Sequence, residues 1–124
     1  MVLAEKIVTA SQRGITSTRW RDFGDIYLLT GQHRLVAGDI HAAINKVSTY
    51  RNAEMGPLRP VLDGYPALAQ AKWHAWLTRQ NLQDRLPGDF QEVLESVFVF
   101  TDWLFDSTRT SQADIWSPGD RAWS

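Results

Sequence analysis

At 124 residues, with 44% hydrophobic and 22% charged side chains, the chain has the length and composition of one globular domain spanning 1–124. A net charge of −1 excludes a protein that coats nucleic acid through bulk positive charge, while leaving room for a local basic patch. The absence of cysteine removes disulfides, thiolate metal sites and a thiol nucleophile, and no apolar run reaches the ~18 residues of a membrane span.

Met1 is not followed by a basic segment and an apolar signal core, so a cytoplasmic protein without membrane contact is expected. The first helix is expected from Val2 to about Gln12, with Leu3, Ile7 and Ala10 on one stripe. Lys6 lies three residues after Leu3 and four before Ala10, so it borders that stripe. An ammonium there must snorkel, meet an anion or face a cleft. Gly14 suits the left-handed position just past the helix end, and Thr16, Ser17 and Thr18 offer N-caps for the next helix. That second helix runs to about Thr30 and stops at Gly31. Asp22, Asp25, Ile26 and Leu29 follow i, i+3, i+4, i+7, so two carboxylates lead into its apolar face.

Gln32 to Gly38 reads as a loop, with Asp39 as N-cap of a third helix from about Ile40 to Arg51. Its apolar face is Ile40, Ala43, Ile44, Val47 and Tyr50. The break N-A-E-M-G-P-L-R-P precedes a short turn at Val61-Leu62. A fourth helix then spans about Pro66 to Asn81, with Ala69, Trp73, Trp76, Leu77 and Gln80 on one face. Two tryptophans at helical spacing there read as packing residues rather than a platform for bases. After Leu86-Pro87-Gly88, Asp89 and Glu92 form a D-x-x-E capping pattern. The helix from Phe90 to about Phe105 is apolar most of the way round and should be central. The polar tail from Asp106 shows neither a helical nor a strand period, and Trp116 and Trp123 are expected to tie it back to the helices. The expected fold is therefore all-α, a single-domain bundle of about five helices with an irregular carboxyl-terminal tail.

Chemistry-bearing residues are few. No G-x-S-x-G, H-x-x-x-H or P-loop occurs, and His33, His41 and His74 lie on unrelated segments. What remains is Lys6, Arg19, Arg21, Asp22 and Asp25, with Arg13 nearby. Asp22 and Asp25 have three readings from the residues alone. They compensate the dipole at a helix start while paired with Arg19 or Arg21; they hold a metal or serve phosphate chemistry; or they meet a partner.

The stretch L-A-E-K, a short R-G loop and T-R-W-R-D-F-G-D-I-Y-L-L resembles the carboxyl-terminal half of AbiEii-type nucleotidyltransferase toxins. The match is good at Ala4-Glu5-Lys6, Arg21-Asp22-Phe23 and Asp25-Ile26-Tyr27. It continues more loosely through the Trp-rich middle to the W-S-P…W ending. The resemblance implies Mg²⁺-dependent transfer of a nucleotide from a nucleoside triphosphate (NTP) to RNA, with tRNA as acceptor, in a type IV toxin–antitoxin or abortive-infection setting with a cognate antitoxin. It implies that Lys6 contacts the triphosphate and that Asp22 is the catalytic carboxylate. Arg19 and Arg21 then support the nucleotide, and Asp25 is a weaker candidate for the metal. The family's Gly-Ser turn and Asp-x-Asp metal pair have no counterpart in this sequence, where the one Asp-x-x-Asp is 22–25. Activity is therefore expected to need an amino-terminal nucleotidyltransferase half, the chain being a truncated gene, the product of a mis-called start, or a piece that completes another chain. The competing expectation is a non-catalytic helical module for interaction or dimerisation, using the six tryptophans and apolar surface.

Overall fold

In the computed structural model, residues 2–16, 20–106, 111 and 113–124 are described. They form α1 (Val2–Arg13), a short 3₁₀ turn (Gly14–Thr16), α2 (Trp20–Gln32), β1 (Leu35–Val36) and α3 (Ala37–Tyr50). There follow α4 (Leu58–Val61), α5 (Tyr65–Gln80), α6 (Phe90–Leu104), β2 (Ile115–Ser117) and β3 (Ala122–Trp123). The fold is mainly helical, as its hydrophobic periodicity implies, with six α-helices among the described residues.

The helix ends follow local chemistry. Gly14 takes φ +53°, a left-handed value that ends α1 at little cost. Asn81 closes α5 at φ 56° and donates its N–H to the carbonyls of Leu77 and Thr78. Asp89 Oδ1 accepts from Gln91 N at 3.0 Å, so the sequence-predicted cap on α6 forms. Gln70 adds a second cap from another helix, its Oε1 accepting from Phe90 N at 2.8 Å. Asp102 does the same for the single turn of α4, accepting from Leu58 N at 2.6 Å and Arg59 N at 3.2 Å.

α6 is central, packed against α2, α4, α5 and β3. Phe90, Val93, Leu94, Val97, Phe98, Phe100, Thr101 and Leu104 are all buried, whereas Val99 is exposed. Two aromatic groups flank it. At its start, Phe90 meets Phe23, Tyr65 and Trp73 at ring separations of 6.0, 5.6 and 4.8 Å. Towards its end, Phe100 meets Trp116 edge-on at 4.9 Å and stacks on Trp123 at 5.2 Å. α1 lies across α2 and α3, with Leu3, Ala4, Ile7, Val8 and Ala10 buried.

Three features depart from the sequence-based expectation. First, the fold is not purely α. Leu35 pairs with Trp116 and Val36 with Ile115, and Trp116 pairs with Trp123, giving a three-stranded antiparallel sheet ordered β1-β2-β3. Strands of two or three residues are too short to display a two-residue period. Residues 115–123 of the carboxyl-terminal tail are therefore a hairpin rather than an irregular segment. Trp116 and Trp123 do anchor it, donating to Thr30 O at 2.7 Å and Phe100 O at 3.0 Å. Second, the 32–38 loop contains β1, and α3 begins at Ala37, so Asp39 sits in its first turn instead of capping it. Third, Tyr50 is 92% exposed and does not belong to the apolar face of α3. The proposed N-caps Ser17 and Thr18 lie outside the described residues, while Thr16 Oγ1 donates back to Arg13 O at 2.6 Å.

Gly24 is the interior glycine of α2 because Trp73 fills the space beside it. A Cβ there would stand 3.1 Å from the indole, which is itself fully buried and donates to Pro87 O at 3.0 Å. Gly24→Ala should therefore destabilise the protein by about 1–2 kcal/mol in urea unfolding, despite alanine's better helix propensity, because the pinned ring cannot yield. Trp116→Ala should cost more, about 3–5 kcal/mol, since it empties a buried ring volume and unpairs the Thr30 carbonyl.

Candidate functional site

The side chains singled out by spacing converge where α1 crosses α2. Lys6 points from α1 and donates to Asp22 Oδ1 at 3.1 Å. It also lies 2.9 Å from Asp25 Oδ2. The i, i+3 spacing of the two aspartates puts both carboxylates on the α1-facing side of α2, one turn apart. Their exposure differs sharply. The Asp22 side chain is 10% exposed and that of Asp25 45%, with Lys6 between them at 21%.

Burial alone pushes the Lys6 ammonium down and is the largest single influence on it. The hydrogen bonds to Asp25 and Asp22, with their negative charges, together outweigh that and hold its pKa above the ordinary 10.5. The group is a firmly held cation. Next to it lies a concavity of about 160 Å³ lined by Val2, Glu5, Lys6, Thr9, Asp22 and Arg51. Arg51, just past the end of α3, donates to Thr9 Oγ1 at 2.7 Å, which fixes the guanidinium at the rim. Thr9 stands one turn after Lys6 on α1, whereas Arg51 could not be identified from spacing. Arg51 reaches the site only because α3 packs on α1, 42 residues away from Thr9 in sequence.

The arginines expected beside the aspartates stand differently. Arg21 is exposed, and Arg13 is exposed at the end of α1. Arg19 lies outside the described residues. Both aspartates have Lys6 as a partner, and the pairing with Arg19 expected at a helix start falls outside the described residues.

A Mg²⁺ ion asks for near-octahedral oxygen coordination. Among the described residues no group of three or more His, Cys, Asp or Glu side chains could hold a metal ion. Two carboxylates engaged with one ammonium do not amount to such a site, so the residues present do not fit a self-contained Mg²⁺ centre. For phosphate the donor set is better matched, since the concavity carries Lys6 and Arg51.

Residues 1–107 match the family model described as nucleotidyl transferase AbiEii toxin, type IV TA system. The chain belongs to the AbiEii nucleotidyl transferase toxin family. No significant match was found among curated proteins or among solved structures. The matched span holds every residue of the site just described and all six helices, and it stops before the β2–β3 hairpin. Among the described residues no helix is long and apolar enough to cross a membrane.

The ion cluster has a definite pH signature. Because the folded-state pKa of Lys6 is raised, its contribution to stability is complete below the unfolded value and is lost as pH rises through the folded value. Lys6→Met should lower the urea-unfolding free energy by about 1–3 kcal/mol at pH 7, through the partner taken from buried Asp22. The gap between wild type and variant should stay constant up to about pH 10 and close above it.

Proposed function

We propose that this chain supplies the lysine-and-aspartate side of a nucleotidyl-transfer site that moves a nucleotide from an NTP to an RNA acceptor, tRNA by resemblance. The observation that carries the reading is the meeting of Lys6, Asp22 and Asp25 beside an open concavity within a span that matches the family. In the transfer, an RNA hydroxyl oxygen forms a bond to the α-phosphorus and pyrophosphate leaves with the bonding electrons. Asp22 accepts the hydroxyl proton. Lys6 offsets the charge on the phosphate oxygens, and Arg51 adds to it from the rim.

In this reading the two carboxylates take different tasks, which their difference in exposure supports. An incoming polyphosphate is repelled by two carboxylates on one ammonium. Asp25, nearly half exposed, can swing into water and release one face of Lys6. Asp22 is enclosed and stays, so it is the group held in place for proton transfer. Arg21, exposed on α2, acts from outside this contact.

The metal-holding carboxylates of such a reaction are not found among the described residues. In this reading they come from a separate nucleotidyltransferase segment, and the chain alone is inactive. A cognate antitoxin is the regulatory partner that the family implies.

A second reading, a helical interaction or dimerisation module, draws on one observation. An apolar concavity of about 200 Å³ lies between Val2, Leu3, Leu29, His33 and Leu35. Sedimentation equilibrium decides it: concentration-dependent self-association without NTP binding favours the module.

The transfer reading is tested by combining the chain with an amino-terminal half of the family that carries the Asp-x-Asp pair, Mg²⁺, radiolabelled NTP and tRNA. Lys6→Ala and Asp22→Asn should each reduce label transfer by about 100-fold or more. Asp25→Asn should reduce it less. Transfer that persists unchanged in the Lys6 and Asp22 variants rules the assignment out.

A further inference from the structure

The outer side of α3 forms a groove of about 580 Å³, lined by Ala43, Lys46, Val47, Tyr50, Arg51 and by Glu5 from α1. Arg51 and Glu5 also line the concavity over Lys6, so the two spaces are neighbours that share a wall. The groove's most unusual occupant is Tyr50. This protein spends its large rings inside: Trp73, Trp116, Tyr65, Phe23, Phe90 and Phe100 are each less than 2% exposed. Tyr50 is 92% exposed on the last turn of α3. Lys46 lies one turn before it, at i−4, so the ammonium and the phenol ring project from the same face of the helix. Arg51 is held by Thr9 at the end nearest Lys6.

An open groove with a bare aromatic ring between two cations has the chemistry of a single-strand nucleic-acid platform, where bases stack on rings and phosphates meet fixed positive charge. We infer that the groove of Lys46, Tyr50 and Arg51 holds the single-stranded end of the RNA acceptor and leads its terminal hydroxyl to Asp22. One base stacks on Tyr50 while the flanking phosphates lie against Lys46 and Arg51. Glu5, the carboxylate common to both spaces, faces the ribose and accepts from a hydroxyl rather than opposing a phosphate. The inference rests on the transfer reading, because that reading reserves the Lys6 concavity for the triphosphate and so sends the acceptor in from the side of Arg51.

The test uses the full chain alone and a fluorescein-labelled single-stranded RNA of about 12 nucleotides, followed by anisotropy at several salt concentrations. Tyr50→Ala should weaken RNA binding by about 5-fold or more, and Tyr50→Phe should restore it, since stacking needs the ring and not the hydroxyl. Lys46→Ala should reduce the slope of log affinity against log salt by about 0.7. A parallel titration with ATP and UTP should be unchanged in Tyr50→Ala. Absence of RNA binding, or RNA binding indifferent to Tyr50→Ala, overturns the inference. So does equal loss of ATP or UTP binding, which would make the groove a nucleoside pocket, or loss of self-association with RNA binding intact, which would make it a protein contact. Failure here leaves the effects of Lys6→Ala and Asp22→Asn on transfer standing. Transfer indifferent to those two variants, with Tyr50-dependent RNA binding retained, removes the assignment at Lys6 and Asp22 alone.

Discussion

A carboxylate that is nearly out of water at the start of a helix requires a partner, and the crossing of α1 over α2 is built around providing one. Asp22 sits in the first turn of α2, where the helix dipole favours negative charge. Dipole alone would be satisfied by an exposed aspartate. Asp22 is instead enclosed and hydrogen-bonded to Lys6, whose stem runs beside the buried face of α1 between Leu3 and Ala10. Ion pairs of this kind seldom add much stability over an apolar contact of equal volume, because desolvation consumes the Coulomb gain. Their use is to fix register. A one-turn slide of α1 along α2 would draw the ammonium away from both carboxylates, so the pairing favours the arrangement that leaves Lys6 beside an open concavity.

The rest of the architecture serves that crossing at a distance. α3 packs on α1 from one side and delivers Arg51 and Tyr50; α6 packs on α2 from the other and carries the core. The β2–β3 hairpin closes the far end of α2. Trp116 takes the Thr30 carbonyl, and Arg121 lays its guanidinium 3.5 Å above the Tyr27 ring while donating to Tyr27 O at 3.0 Å. Gly31 accommodates that guanidinium, because any Cβ at the position would collide with it. The last turn of α2 is thus capped by side chains more than 80 residues away in sequence, and α2 runs one residue past Gly31, to Gln32.

What was legible in the sequence and what was not divides along physical lines. Spacing of three and four residues placed Lys6 on the border of one apolar stripe and Asp22 with Asp25 at the head of another, and helices preserve such relations whatever surrounds them. The contact between Lys6 and Asp22 follows once the two stripes face each other. Long apolar periods likewise located α5 and α6 to within a residue. The sheet was not legible, since Leu35-Val36 and Ile115-Trp116 are strands only by virtue of each other. Asp102 as the cap of α4, Gln70 as a cap of α6 and Arg51 at the site were hidden for the same reason. Each acts on a segment 20 or more residues away, and no local pattern encodes that distance. Tyr50 misled for a different reason: the buried stripe of α3 is Ala37, Ile40, Ile44 and Ser48, with Val47 only half-buried at its edge, so continuing from Val47 to Tyr50 leaves the covered face.

Charge determines how the site is completed. Lys6, Asp22 and Asp25 together carry −1, and Arg51 with Glu5 at the rim adds nothing net, so the concavity as folded is not an anion trap. In the proposed function a polyphosphate gains entry only as positive charge is freed or supplied. Freeing it falls to Asp25, the one partner of Lys6 with room to leave. Supplying the remainder falls to groups outside this cluster, because the described residues contain no further assembly of ligands for a cation. The acceptor strand meets the opposite situation. Its approach along α3 passes two lysine- and arginine-borne charges against a single carboxylate, so the net +1 of the groove favours a strand of one phosphate per nucleotide where the concavity disfavours an unaccompanied triphosphate. In the proposed transfer the two substrates are directed to different spaces by local charge, with Arg51 and Glu5 common to both.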